Sequence, residues 1–388
     1  MQKQPVTAAR RRKPRLAAIE YIRGISMMGV IGIHVGSQYL ANTSANVNLI
    51  ALFEVATRFS VPIFFFISAF GLFYNLDLSA PFSFKKFMKR RAKTVLVPYL
   101  VWSVFYLLHD GWLYGVGFPD FSSLLTLLFF GNAKYQLYFL VILLWFYLLM
   151  PLWIKIVRSI GIKTLAGLFL AQLVFDYWSS FSTALNLFIY GLPDTSLLKP
   201  FLLYRLNYWV MHYVFIFVLG GWLAVHIDVF MAFMKKHRIG IGIGIFFWGS
   251  LASLLGYYYQ LLFQDGYTPL EAINTAHQLC PAGIFYTLAA SLFFFAMFTY
   301  QKYPAVLNPL LHQLGRHSYF AYLAHPVAIA YLSLLLQKSG HIMTAPLAIA
   351  FYFATLSLAM LGAVVCRKIG ESFPLLNELT IGVYAKRK

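Results

Sequence analysis

The sequence predicts an all-α integral membrane protein of about ten transmembrane helices with both termini cytoplasmic. Three observations carry that prediction. Of 388 residues, 60% are hydrophobic and only 11% charged, with 38 Phe, 26 Tyr and 8 Trp, a composition foreign to ordinary soluble domains. Apolar runs of ~20 residues, enough to cross a hydrocarbon core of about 30 Å, recur along the chain. Finally, Lys and Arg crowd into alternate connecting segments, as the positive-inside rule requires.

The runs fall at 17–41, 48–75, 94–115, 135–157, 161–182, 205–228, 239–262, 280–299, 315–337 and 343–367. A basic stretch from Arg10 to Arg15 precedes the first. Glu20 and Arg23 inside that run, and no A-x-A pattern after it, favour a retained span over a cleaved signal peptide. The second run holds Glu54 and Arg58 at i,i+4, where they can pair, and then Pro62, which should kink the helix. Six cations in 85–93 lead into the third. Residues 121–131 suit a short interfacial or re-entrant helix. Tyr135, Gln136 and Tyr138 open the fourth run, and Asp176 in the fifth has Arg205 as a candidate partner. In the ninth, His325 stands just before Pro326.

With the N-terminus inside, the inner segments hold every Lys and Arg except Lys134, Lys199 and Lys338 in outer loops and Arg23, Arg58 and Arg205 within or at the ends of spans. The net charge of +19 therefore orients the chain and does not mark a nucleic-acid binder. A basic cytoplasmic tail (1–16), one membrane-embedded domain (17–367) and a cytoplasmic C-terminal tail (368–388) are expected. Cys280 and Cys366 fall toward opposite faces, so no disulfide is expected, and no Cys/His spacing suggests zinc.

The chemistry concentrates in the first span. Eleven residues at about 100° each bring His34 back to within about 20° of Arg23, roughly 16 Å along the axis, and Glu20 shares that face. Such a stripe is either a functional site or an interfacial Glu20 and Arg23 with a His34 that bonds a neighbouring helix. Glu54 and Arg58 read first as a structural ion pair. The cations of 85–93 could anchor topology, bind anionic lipid, or seat the phosphates of a nucleotide-bearing donor.

Together these stretches resemble the family-3 membrane acyltransferases, bacterial multi-pass enzymes that O-acylate surface polysaccharides, peptidoglycan, lipid-linked sugars and some small glycosides. The matching elements are Arg23 and His34 with Glu20, then Arg58 with Val61 through Ser68. The third is Gly315, Ser318, Tyr319, Tyr322, Leu323, His325 and Pro326. Departures are Ala69 for a frequent Gly, Gln136 for a frequent His, and Thr94 where the second arginine of a basic R-x-x-R would stand.

The resemblance implies transfer of an acyl group, most simply acetyl from cytoplasmic acetyl-CoA, to a hydroxyl of a glycan or glycolipid across the bacterial cell membrane. It implies no tightly bound cofactor and no metal. His34 is then the general base or a transient acyl carrier, Arg23 steers the donor, and Glu20 holds Arg23. Arg90, Arg91 and Lys93 bind the donor. Arg58, Ser68, Gln136, Tyr138 and His325 line the acceptor side or support His34. A transporter or flippase for a glycan or lipid-linked sugar is the competing class.

Overall fold

A computed structural model describes residues 15–384. Arg10 to Lys13 of the expected N-terminal tail and 385–388 of the C-terminal one lie outside the described residues. Among the described residues every named element is helical, and the one β contact is an isolated bridge between Ser44 and Met343.

The first two expected spans become α1 (Ala17–Gly36), α2 (Val47–Ala56) and α3 (Ser60–Tyr74). Pro62 has no N–H to offer the Arg58 carbonyl four residues back, and the helix is interrupted at residues 57–59, between α2 and α3. Next, α4 (Phe84–Arg91) passes through a π-helical segment, Ala92–Leu96, into α5 (Val97–Tyr114). The short apolar α6 (Phe121–Phe130), capped by Asp120, fills the stretch expected to be interfacial or re-entrant. A bend of 67° separates α7 (Tyr138–Leu148) from α8 (Met150–Ser159), with Pro151 in the first turn of α8.

After α9 (Ile162–Phe181) come three short helices, α10 (Thr183–Gly191), α11 (Leu198–Leu203) and α12 (Arg205–Tyr208). The expected run 205–228 is thus split: α12 stands apart, and α13 (Val214–Val225) turns by 92° into α14 (Ile227–Met234). The remainder is α15 (His237–Phe263), α16 (Pro269–Thr275), α17 (Pro281–Thr299), α18 (Asn308–Ser339), α19 (Ala345–Ser372) and α20 (Pro374–Ile381).

Among the described residues, seven helical runs are long and apolar enough to cross a membrane, or nine if each bent pair is one span. The helix α9 fills the expected 161–182 but falls outside that set. Nor is the segment after 367 simply a tail: α20 docks on α5, where the Trp102 indole donates to the Thr380 carbonyl at 3.0 Å.

Buried on nearly every side, α1 is the axis of the bundle, packed by α2, α3, α17, α18 and α19. Glycines allow that crowding. A Cβ on Gly32 or Gly36 would stand 2.8 Å from Thr57 Cγ2 or Glu54 Cβ, and one on Gly24 would stand 2.9 Å from Leu314 Cβ. Reciprocally, Gly315 of α18 lies against the Glu20 backbone. Small residues thereby bring α2 and α18 to α1 at backbone distance.

Candidate active site

Two cavities open along the Arg23–His34 face of α1. The larger, about 790 Å³, is walled by α1, α3, α4 and the α7–α8 bend. Arg15, Arg23, Arg90 and Arg91 all line it, together with Glu20, Ser68, Asp77 and Tyr147. Arg23 is exposed although Ile22 and Gly24 beside it are buried, because its side chain enters this space. The Arg91 guanidinium lies 5.0 Å from the centre of the Phe87 ring and 4.9 Å from that of Tyr147. These ring faces hold a planar cation that can still grip a phosphate with its edge.

Two expected partners differ from this arrangement. Glu20, whose expected role is to hold Arg23, pairs instead with Arg15 at 3.0 Å and faces His312 at 3.8 Å, because α18 crosses α1 beside it. Lys93 does not reach the cavity: its ammonium sits 5.0 Å from the centre of the Tyr384 ring, next to the docked C-terminal segment. Lys93 belongs to the π-helical segment that begins just after Arg91, and Arg90 and Arg91 line the cavity without it. Thr94, at the position of the second arginine of R-x-x-R, donates its hydroxyl to the Arg90 carbonyl at 3.0 Å.

The smaller pocket, about 180 Å³, brings His34 together with Glu54, Arg58, Gln136 and Tyr138. Its charged centre is the Arg58–Glu54 pair at 2.5 Å, and Arg58 also reaches Gln278 at 3.4 Å. The His34 ring packs at a tilt against Tyr135 (centroids 4.2 Å apart, planes 40° apart) and stacks on His325 (5.3 Å, 20°). Pro326 has no N–H for the Tyr322 carbonyl, and the His325 Nδ1 lies 2.7 Å from that oxygen. A carbonyl only accepts, so Nδ1 carries the hydrogen and Nε2 keeps its lone pair, buried and without a hydrogen-bond partner. Gln136 donates to the Leu323 carbonyl at 3.3 Å, which ties the segment before α7 to the turn preceding Pro326. Ser68, expected on the acceptor side, lines the larger cavity instead.

With this geometry in view, the comparison with protein families is decisive. A family model for an acyltransferase domain, acyltransferase family 3, matches residues 16–366. The chain belongs to acyltransferase family 3. No curated protein and no solved structure matches this acyltransferase. The matched range holds Arg23, His34, Arg58, Arg91 and His325, and the enzyme reading displaces that of a transporter.

Several residues of this acyltransferase's pocket carried little signal in the sequence. Tyr135 begins a noted polar stretch, yet nothing local announces its contact with the His34 ring. Gln278 and Asn207 reach the pocket from segments distant in the chain. Asp176 pairs with His212 at 2.7 Å and not with Arg205, whose partners are the Ser179 and Leu202 carbonyls and Asn186. Ser179 lies 3.3 Å from the other His212 nitrogen, an order resembling a nucleophilic triad. Ser179 and Asp176 are fully buried, and the cluster joins α9 to the segment before α13. Among the described residues no group of three or more His, Cys, Asp or Glu is placed to hold a metal ion.

Proposed function

We propose that this acyltransferase moves an acyl group, acetyl in the simplest case, from cytoplasmic acyl-CoA to a hydroxyl of an extracytoplasmic polysaccharide, peptidoglycan or glycolipid. The observation that carries the reading is the pair of cavities on one face of α1, one ringed by arginines and one holding His34. The arginine cavity suits the phosphates of coenzyme A, since planar guanidinium groups and several positive charges converge there. Arg23 guides the pantetheine arm and thioester toward the second pocket.

There the neutral His34 imidazole takes the acceptor's O–H proton as the oxygen attacks the thioester carbonyl carbon. Arg58 offers N–H donors to the oxyanion that forms, while Glu54 holds the guanidinium in place. Collapse of this intermediate breaks the C–S bond, and the proton leaves with coenzyme A as its thiol. His34 as a transient acyl carrier is the alternative route through the same atoms. On this reading the protein sits in a bacterial cytoplasmic membrane, and loop charge supports both termini inside with the arginine cavity opening to the cytoplasm.

The test is transfer of radiolabel from acetyl-CoA to base-releasable ester in membranes carrying the protein. His34→Ala should lower it by about 10²–10⁴ with folded yield unchanged. Label movement equal to wild type in that variant removes His34 from the chemistry.

A further inference from the structure

The two cavities do not simply run together. On α1 their walls are Arg23 and Val30, and on α3 they are Ser68 and Val61. Both intervals are seven residues, which places each pair on one helix face about 10 Å apart. Phe64 occupies the level between Val61 and Ser68. Its ring centroid is 5.5 Å from that of Phe139 and 6.0 Å from that of Tyr322, and those two are 5.8 Å apart. Phe139 and Tyr322 are also the inner wall of the His34 pocket. One layer of three rings therefore stands between donor space and reaction space.

The rings differ in freedom. Tyr322 is buried and its hydroxyl donates to the Gln136 carbonyl, which fixes it. Phe139 is buried and packs on Phe65 with centroids 4.7 Å apart. Phe64 alone is half-buried, on the same side of α3 as Ser68 and Gly71. It is the leaf with room to turn.

We propose that the layer of Phe64, Phe139 and Tyr322 sets the length of acyl group this enzyme transfers, with Phe64 the movable member, and that it selects short acyl chains. This rests on the donor and acceptor reading above. Attack requires the thioester carbon within about 3–3.5 Å of the acceptor oxygen. A donor held in the arginine cavity must therefore push its acyl end past the rings. The acyl tail then shares about 180 Å³ with the acceptor's hydroxyl-bearing group. Each added methylene competes for that space, and one methylene in a confined apolar site commonly changes a rate by about 10–200-fold.

The experiment gives membranes containing the protein labelled acetyl-, butyryl- and hexanoyl-CoA and measures base-releasable ester in the envelope polymer and glycolipid fractions. Wild type should transfer hexanoyl at least tenfold less than acetyl. Phe64→Ala should raise the hexanoyl-to-acetyl ratio tenfold or more. Phe64→Leu should give a smaller rise and serves if the alanine variant fails to fold. A wild type that takes all three donors alike, or an active Phe64 variant with an unchanged ratio, overturns the proposal and leaves the donor reading intact. A wild type that releases no ester from any acyl-CoA overturns the donor reading and the proposal with it.

Discussion

Removing one partner of the Glu54–Arg58 pair tests whether it is chemistry or packing. The two side chains are 11% and 14% exposed and meet at 2.5 Å. With an effective dielectric of about 20, attraction at that separation is on the order of 6–7 kcal/mol. Desolvating the two ions costs several kcal/mol each, so the intact pair contributes little net stability. Either ion left alone is different: breaking a buried pair costs about 3–5 kcal/mol. Arg58→Met and Glu54→Leu should each lower stability by about that amount, read as thermal unfolding in detergent micelles. Combined, they leave no stranded charge and should recover most of the loss. Label transfer from acetyl-CoA in the double variant should nevertheless stay down about 10²–10³, the usual cost of a missing oxyanion donor. A double variant that is stable and fully active would falsify the catalytic role of Arg58 and return the pair to packing. Single variants as stable as wild type would refute the burial reasoning itself.

Three further outcomes follow from the geometry. Pro326→Ala supplies an N–H that competes for the Tyr322 carbonyl, so His325 loses its anchor; folded yield should hold or rise while transfer falls about tenfold. Equal activity would mean the His325 bond has no part in the reaction. Arg91→Ala should raise the KM for acetyl-CoA tenfold or more, whereas Lys93→Ala, facing Tyr384, should stay within about twofold; equal effects would show that net charge alone matters. Gly315→Val should collapse folded yield, because its Cβ meets Glu20 backbone that cannot swing aside, and size-exclusion recovery in detergent reads this directly.

Hydropathy placed nearly all the long helices, since membrane-length runs must satisfy their own backbone and so declare themselves locally. The same logic located the break at Pro62, which removes one donor. What sequence could not supply is which side chains meet across helices. Glu20 turned to Arg15 and His312 because α18 crosses at Gly24 and Gly315, a fact of packing. Ser68 and His325 share a role on paper, but Ser68 stands seven residues past Val61 and so belongs with Arg23. Lys93 was drawn off by Tyr384, just past α20, in a segment whose composition reads as a tail. Asp176 found His212 on a short 3-10 turn, Val210–Tyr213, that breaks the expected run 205–228, a partner on another element that hydropathy does not reveal.

The glycines of α1 have a consequence for how such an enzyme diversifies. With Gly24, Gly29, Gly32 and Gly36 each pressed on a neighbour, the helix can neither rotate nor slide without collision. The placement of Arg23 and His34 against the walls supplied by α2, α3 and α18 is therefore a constant of the scaffold. Novelty in the acceptor has to enter from the other walls, through the segments that deliver Asn207 and Gln278. Variants selected for a new sugar should accumulate there and leave the first helix untouched.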